Sequence, residues 1–121
     1  MRQILLLGLL GVFGSSVSAG MPADTEKEIR HLMDYLGTSD CEFNRNGTWY
    51  GSHEAQQHLE KKYRYLVTRG LIGTAEQFIE RAASQSSMSG RPYLVRCGDA
   101  APVHSRDWFS EELRRFREAT R

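Results

Sequence analysis

The sequence predicts an α+β fold: a single domain with a small three-stranded antiparallel sheet and about four helices packed on one face of it. Three observations carry this expectation. Helix and strand patterns follow in the order helix, hairpin, two helices, strand, helix. The segment around Asn46-Gly47 alternates apolar and polar residues about a strong hairpin turn signal. Residues 20–121 suffice for one core and are too few for two.

Residues 1–19 read as a secretory signal. Arg2 supplies the positive start, Ile4 to Phe13 form an apolar run broken by Gly8 and Gly11, and Val17-Ser18-Ala19 suit a signal peptidase. The run falls short of the about 20 apolar residues that span a bilayer. No Cys follows to carry a lipid anchor. The expectation is cleavage after Ala19, a mature domain of residues 20–121, and no stable membrane insertion afterwards.

The whole chain carries 16 Lys and Arg against 15 Asp and Glu, so loss of Arg2 leaves no formal charge. A neutral surface with interspersed signs offers no footprint for nucleic acid or anionic lipid.

The first helix is expected after Pro22, with Thr25 and Glu28 as a capping box. Ile29, Leu32, Met33 and Leu36 recur at helical spacing and give it one buried stripe, which Gly37 ends. His31 and Asp34 lie on the outer side and read as a solvated pair. The hairpin follows. Cys41 and Phe43 share one face and Glu42 and Asn44 the other, while Asn46-Gly47 supplies the positive φ that a type I′ turn demands. Trp49 and Tyr50 read as core aromatics more readily than as an exposed binding patch.

Ser52 is the expected N-cap of the second helix, whose stripe is Ala55, Leu59, Tyr63 and Leu66. Leu71 and Ile72 are expected to fold back onto the core. In the third helix Thr74 accepts from the Gln77 N–H, and the Gln77 side chain reaches back to Thr74. Phe78, Ile79, Ala82 and Ala83 are its apolar stripe. Gly90 and Pro92 punctuate a serine-rich turn before a strand over Tyr93 to Cys97. Ser105 is the expected cap of the last helix, which buries Trp108, Phe109, Leu113 and Phe116. Arg114, Arg115 and Arg117 suit its C-terminal dipole.

The two cysteines both fall in the exported part, where an even pair reads as a disulfide. Pairing Cys41 with Cys97 across antiparallel strands sets 42 opposite 96 and 43 opposite 95. That register gathers Cys41, Phe43, Tyr93, Val95 and Cys97 on one inner face and sets Glu42 beside Arg96 on the other. A one-residue slip would separate Phe43 from Val95, so the apolar pattern selects it.

No metal or cofactor is expected. His53 and His58 suggest a metalloprotease motif but stand five apart, about 140° around a helix and off any common face. The serines from Ser84 to Ser89 suggest a nucleophile, yet neither a nucleophile elbow nor a Ser-x-x-Lys motif occurs. They read as a hydrogen-bonding stop after a helix. His58 with Lys62, neighbours at i, i+4 beside the buried stripe, is the better constellation. His58 titrates near neutrality and Lys62 can hold a carboxylate or phosphate. Arg45, beside the hairpin turn, is a weaker candidate for the same pocket.

Four pieces of the chain carry a resemblance. They are Arg45-Asn46-Gly47, Ala55-x-x-His58-Leu59-x-x-Lys62, Thr74-Ala75-Glu76-x-Phe78-Ile79, and Ala83-Ser84-x-Ser86-Ser87-x-Ser89-Gly90-x-Pro92-Tyr93-x-Val95. In order and at compatible spacing, they resemble the YfeK-like family of small bacterial periplasmic proteins, a domain of unknown function, over about residues 25–98. The segment after Gly98 falls outside that resemblance. The likeness implies a bacterial envelope protein in the periplasm and no activity. The disulfide rests on this chain's own residues and not on the likeness.

Two function classes follow. One is a non-catalytic periplasmic module that binds a protein partner or an envelope component. The other is a small periplasmic hydrolase using His58. A deep polar pocket holding His58 and a second titratable group would favour the enzyme, and a shallow or apolar one the module.

Overall fold

A computed structural model describes residues 20–121; the expected signal at 1–19 and its cleavage site lie outside the described residues. The elements are α1 (Ala23–Gly37), β1 (Glu42–Arg45), β2 (Thr48–Gly51), α2 (Ser52–Thr68), α3 (Ala75–Ala82), β3 (Leu94–Arg96), β4 (Val103–His104) and α4 (Ser105–Ala119). The fold is α+β, as predicted, but the sheet has four strands in the order β2-β1-β3-β4, all antiparallel. The strand absent from the sequence reading is β4. It has two residues, both exposed, so it shows no period-2 pattern to detect.

Asn46 and Gly47 both take positive φ, 54° and 90°, and close the β1–β2 hairpin. β1 pairs with β3 in the register Glu42↔Arg96, Phe43↔Val95 and Asn44↔Leu94, as the apolar pattern requires. Cys41 and Cys97 are bonded one step beyond the last pair, with Cα atoms 4.4 Å apart. On the outer face Arg96 donates to Glu42 at 2.8 Å and its guanidinium lies 3.9 Å from the Trp49 ring centre. Trp49 is therefore not core. The pleat sends it outward opposite Asn44, while Tyr50 faces inward opposite Phe43.

The helices cover the inner face. Phe43 meets Trp108 edge-on at 5.3 Å, and Phe78 meets both Tyr63 and Phe109. Ile29, Leu32, Met33, Leu36, Phe78, Val95 and Phe109 are fully buried at the centre. Of the turn pair, Ile72 is buried but Leu71 is exposed, and the Leu71 carbonyl accepts from Arg81 at 2.6 Å. At Gly37 a Cβ would lie 2.6 Å from the Gln56 side chain, which donates to the Met33 carbonyl at 2.9 Å. Glycine there lets α2 approach α1.

The expected helix caps form only in part. Thr74 accepts from the Gln77 N–H at 3.0 Å, but the Gln77 amide oxygen accepts from Gly73, one residue before the expected partner. Thr25, Ser52 and Ser105 do not cap. Their hydroxyls donate to the carbonyls of Gly73, Gly37 and Ala83 at 3.2, 3.3 and 2.7 Å. Pro22, Gly51 and His104 hold the cap positions instead. Glu28, the supposed partner of Thr25, is gripped by Arg117 through two bonds of 2.8 and 2.9 Å. Arg117 also reaches Glu76 at 2.6 Å, tying α4 to α1 and α3 and holding the Glu76 carboxyl below its ordinary range. His31 is not paired with Asp34: its Nε2 lies 2.6 Å from Glu112, and its ring stacks on Phe116 at 4.1 Å.

Two consequences are testable. Replacing both cysteines with Ala removes a cross-link between residues 56 apart and lowers the unfolding free energy by roughly 4 kcal/mol. Urea unfolding measures this, and equal stability would show that other contacts hold the register alone. Ser105→Ala strands the buried Ala83 carbonyl and costs about 1–3 kcal/mol. A loss well below that range would show that the carbonyl finds another donor.

Candidate functional site

The tight hairpin and the immediate start of α2 build the site between them. Strand alternation puts Phe43 and Arg45 of β1 on the inner face with Tyr50 of β2. Because α2 begins at Ser52, directly after β2, its first two turns bring Glu54, Ala55, His58 and Leu59 to that face. A cavity of about 90 Å³ lies between, with Leu36, Phe43, Leu59 and Phe109 as its buried floor. Arg45, Tyr50, Glu54 and His58 are the less buried part of its wall, and Tyr93 closes one side.

The polar groups form a chain. Lys62 Nζ donates to the Gln85 carbonyl at 2.7 Å and to the Tyr93 phenol oxygen at 3.1 Å. The phenol lies 3.4 Å from His58 Nε2. With His58 neutral and Nε2 unprotonated, the phenol O–H donates to it. Burial, then the charges of Arg45, Lys62 and Lys61, lower the His58 pKa and keep that form. Burial, then Arg45, push Lys62 down to about 8. Burial raises the Tyr93 pKa, so the phenol stays a donor at neutral pH. The Arg45 guanidinium lies 5.0 Å from the centre of the Tyr50 ring.

Arg45, His58 and Lys62 are thus brought together, but not in equal roles. Arg45 and His58 line the cavity, whereas Lys62 stands behind Tyr93 and ties α2 to the serine turn. Sequence reasoning missed Tyr93 and Glu54 as site residues. A tyrosine at an inward strand position reads as core, and the signal available was its phenol, which a purely apolar position would not need. The serine turn is hydrogen-bonded scaffolding: Ser86 Oγ accepts from the N–H groups of Met88 and Ser89, and Ser89 Oγ donates to Asn46.

The nearest serine in the wall, Ser105, is buried and commits its hydroxyl to Ala83. Both cysteines are bonded to each other. Among the described residues no group of three or more His, Cys, Asp and Glu could hold a metal ion, and no helix is long and apolar enough to cross a membrane.

A family of unknown function (DUF5329) matches residues 23–117, nearly the whole of the described domain. The chain belongs to this family. The YfeK resemblance holds too: the chain is 41% identical over 76 residues to the uncharacterised protein YfeK of Salmonella typhimurium, spanning 62% of each protein. The family match runs past Gly98 and takes in α4, which the sequence reading had left outside. No solved structure matches the chain. Arg45, His58, Lys62 and Tyr93 all lie within the span matched to the family.

The lowered Lys62 pKa sets a pH dependence. The folded protein binds fewer protons than the unfolded chain between about 8 and 10.5, so this group makes stability rise with pH there. Tyr93 acts in the opposite sense above its ordinary pKa of 10, which leaves pH 8 to 10 as the window. Lys62→Met flattens the rise in denaturant stability across that window. An unchanged slope would place the titration on another group.

Proposed function

We propose that this protein is an exported, non-catalytic module of the bacterial envelope. It works in the periplasm and binds a protein partner or envelope component at the cavity between the hairpin and α2. One observation carries the reading. Of the partly buried basic side chains among the described residues, Arg96, Arg117 and His31 each meet a carboxylate. Arg45, His58 and Lys62 meet none; their partners are two aromatic rings, a phenol and a carbonyl. Unneutralised positive charge beside an apolar cavity is a poor arrangement for folding and a good one for receiving an acidic group. The disulfide and the apolar run at residues 4–13 support export.

A small hydrolase acting through His58 has less support. His58 has the Tyr93 phenol as its polar neighbour, while Ser105 in the wall commits its hydroxyl to Ala83 and the two cysteines are bonded to each other.

Capture from periplasmic extract tests the proposal. The wild type retains a partner, and the Arg45→Ala, His58→Ala double variant loses it while its thermal midpoint stays within a few degrees. Retention of the same partner by the folded variant would place binding elsewhere. The intact mass of the periplasmic protein should begin at Gly20, and an uncut Met1 would count against export by this signal.

A further inference from the structure

The cavity does not stand alone. It opens into a broad groove of about 620 Å³ along α2, and the two share Arg45, Glu54 and His58. The deep part is apolar and small, the shared mouth is charged, and the groove beyond carries Gln57, Lys61 and other polar side chains. A ligand that fills all three has an apolar end group, an anionic group beside it, and a polar extension leading away. Arg45, Glu54 and His58 stand at the mouth itself, while Lys62 lies behind Tyr93 and outside the wall. Arg45 and Glu54 both line the mouth, and a carboxylate entering beside Arg45 gains a charge partner there.

Accepting that the cavity is the binding site, we infer that its ligand is the C-terminal end of an apolar-ended polypeptide: the last side chain fills the cavity, the terminal carboxylate meets Arg45 and His58, and the preceding residues follow the groove. A terminal carboxylate is the anionic group that a protein chain always places next to its last side chain. A cavity of about 90 Å³ suits a branched aliphatic group and not a bulky lipid or a dinucleotide. Arg45 is suited to the role because its guanidinium presents a planar fork to a carboxylate, and its stacking on Tyr50 holds that fork in place. His58 contributes by geometry, since a carboxylate arriving beside it would compensate the charge it now avoids.

The test is an NMR titration of the purified, disulfide-bonded protein. The probes are acetyl-Ala-Ala-Leu with a free carboxylate, the same peptide as its C-terminal amide, and isovalerate, which carries the aliphatic group and carboxylate alone. The free-acid peptide should shift the Phe43, Arg45, His58 and Tyr93 signals in a saturable way. The amide and isovalerate should each bind at least about tenfold more weakly. Arg45→Gln, shown folded by its dispersed spectrum, should abolish the preference for acid over amide. Equal binding of acid and amide overturns the carboxylate assignment while leaving the cavity as a binding site. Equal binding of isovalerate and peptide overturns the chain-end assignment in favour of a small free acid. If no peptide binds but partner capture still depends on Arg45 and His58, this inference falls and the binding module stands. If capture is independent of both residues as well, both fall.

Discussion

The pairing of β1 with β3 is the constraint on which the rest of the molecule depends. The hairpin and α2 are contiguous and can associate locally, but β3 lies some fifty residues further on, beyond two helices. Closing that loop has an entropic cost before any contact offsets it. Three features offset it in one register: Phe43 against Val95 on the inner face, Glu42 against Arg96 on the outer face, and the Cys41–Cys97 bond at the end. Slipping the register by one would turn every side chain of β3 to the wrong face. Because Tyr93 sits immediately before β3, the same pairing positions its phenol between His58 and Lys62. The site is thus a consequence of the long-range strand pair, although most of its residues come from the local hairpin–helix unit.

A second layer of ties joins the helices. Thr25, Ser52 and Ser105 sit at or near helix starts, where a side-chain oxygen ordinarily accepts from the free N–H groups of its own first turn. Here each hydroxyl donates outward: Ser52 and Ser105 reach carbonyls at the ends of α1 and α3, and Thr25 reaches Gly73, two residues before α3 begins. Arg117 does the same work with charge, linking α4 to Glu28 on α1 and Glu76 on α3. The domain is small, and these polar joints fix helix positions that its apolar core alone would hold less specifically.

Residues whose role depends on period and alternation were legible in the sequence. The stripe Ile29, Leu32, Met33 and Leu36, the Asn46-Gly47 turn and the Phe43–Val95 register all follow from spacing, because burial acts on faces and faces follow geometry. Residues whose role depends on a distant partner were not legible. Thr25 and Ser105 have the right chemistry for caps, and only the position of Gly73 or Ala83 reveals that they serve another helix. His31 looked solvated until α4 brought Glu112 and Phe116 against it. β4 escaped because two residues cannot display a period. At the site, His58 and Lys62 were visible as helix neighbours and Arg45 as a flanking charge. Tyr93, which links His58 to Lys62, read as an inner-face strand residue like Val95.

The distribution of charge separates folding from function more sharply than any single contact. Residues 20–121 have as many acids as bases, so enough carboxylates exist to neutralise every partly buried cation. They do so for Arg96, for Arg117 and for His31. At the cavity they do not: Glu54 lines the wall without pairing, and burial, then the charge of Arg45, lowers the pKa of both His58 and Lys62. Such mutual repulsion in partly buried surroundings destabilises the folded state. If stability alone had shaped this face, one carboxylate in contact with Arg45 would have relieved it, as Glu42 relieves Arg96 on the opposite side of the same sheet. Departures from local consistency of this kind concentrate where a protein meets something else. On the proposed reading, the missing carboxylate belongs to the ligand.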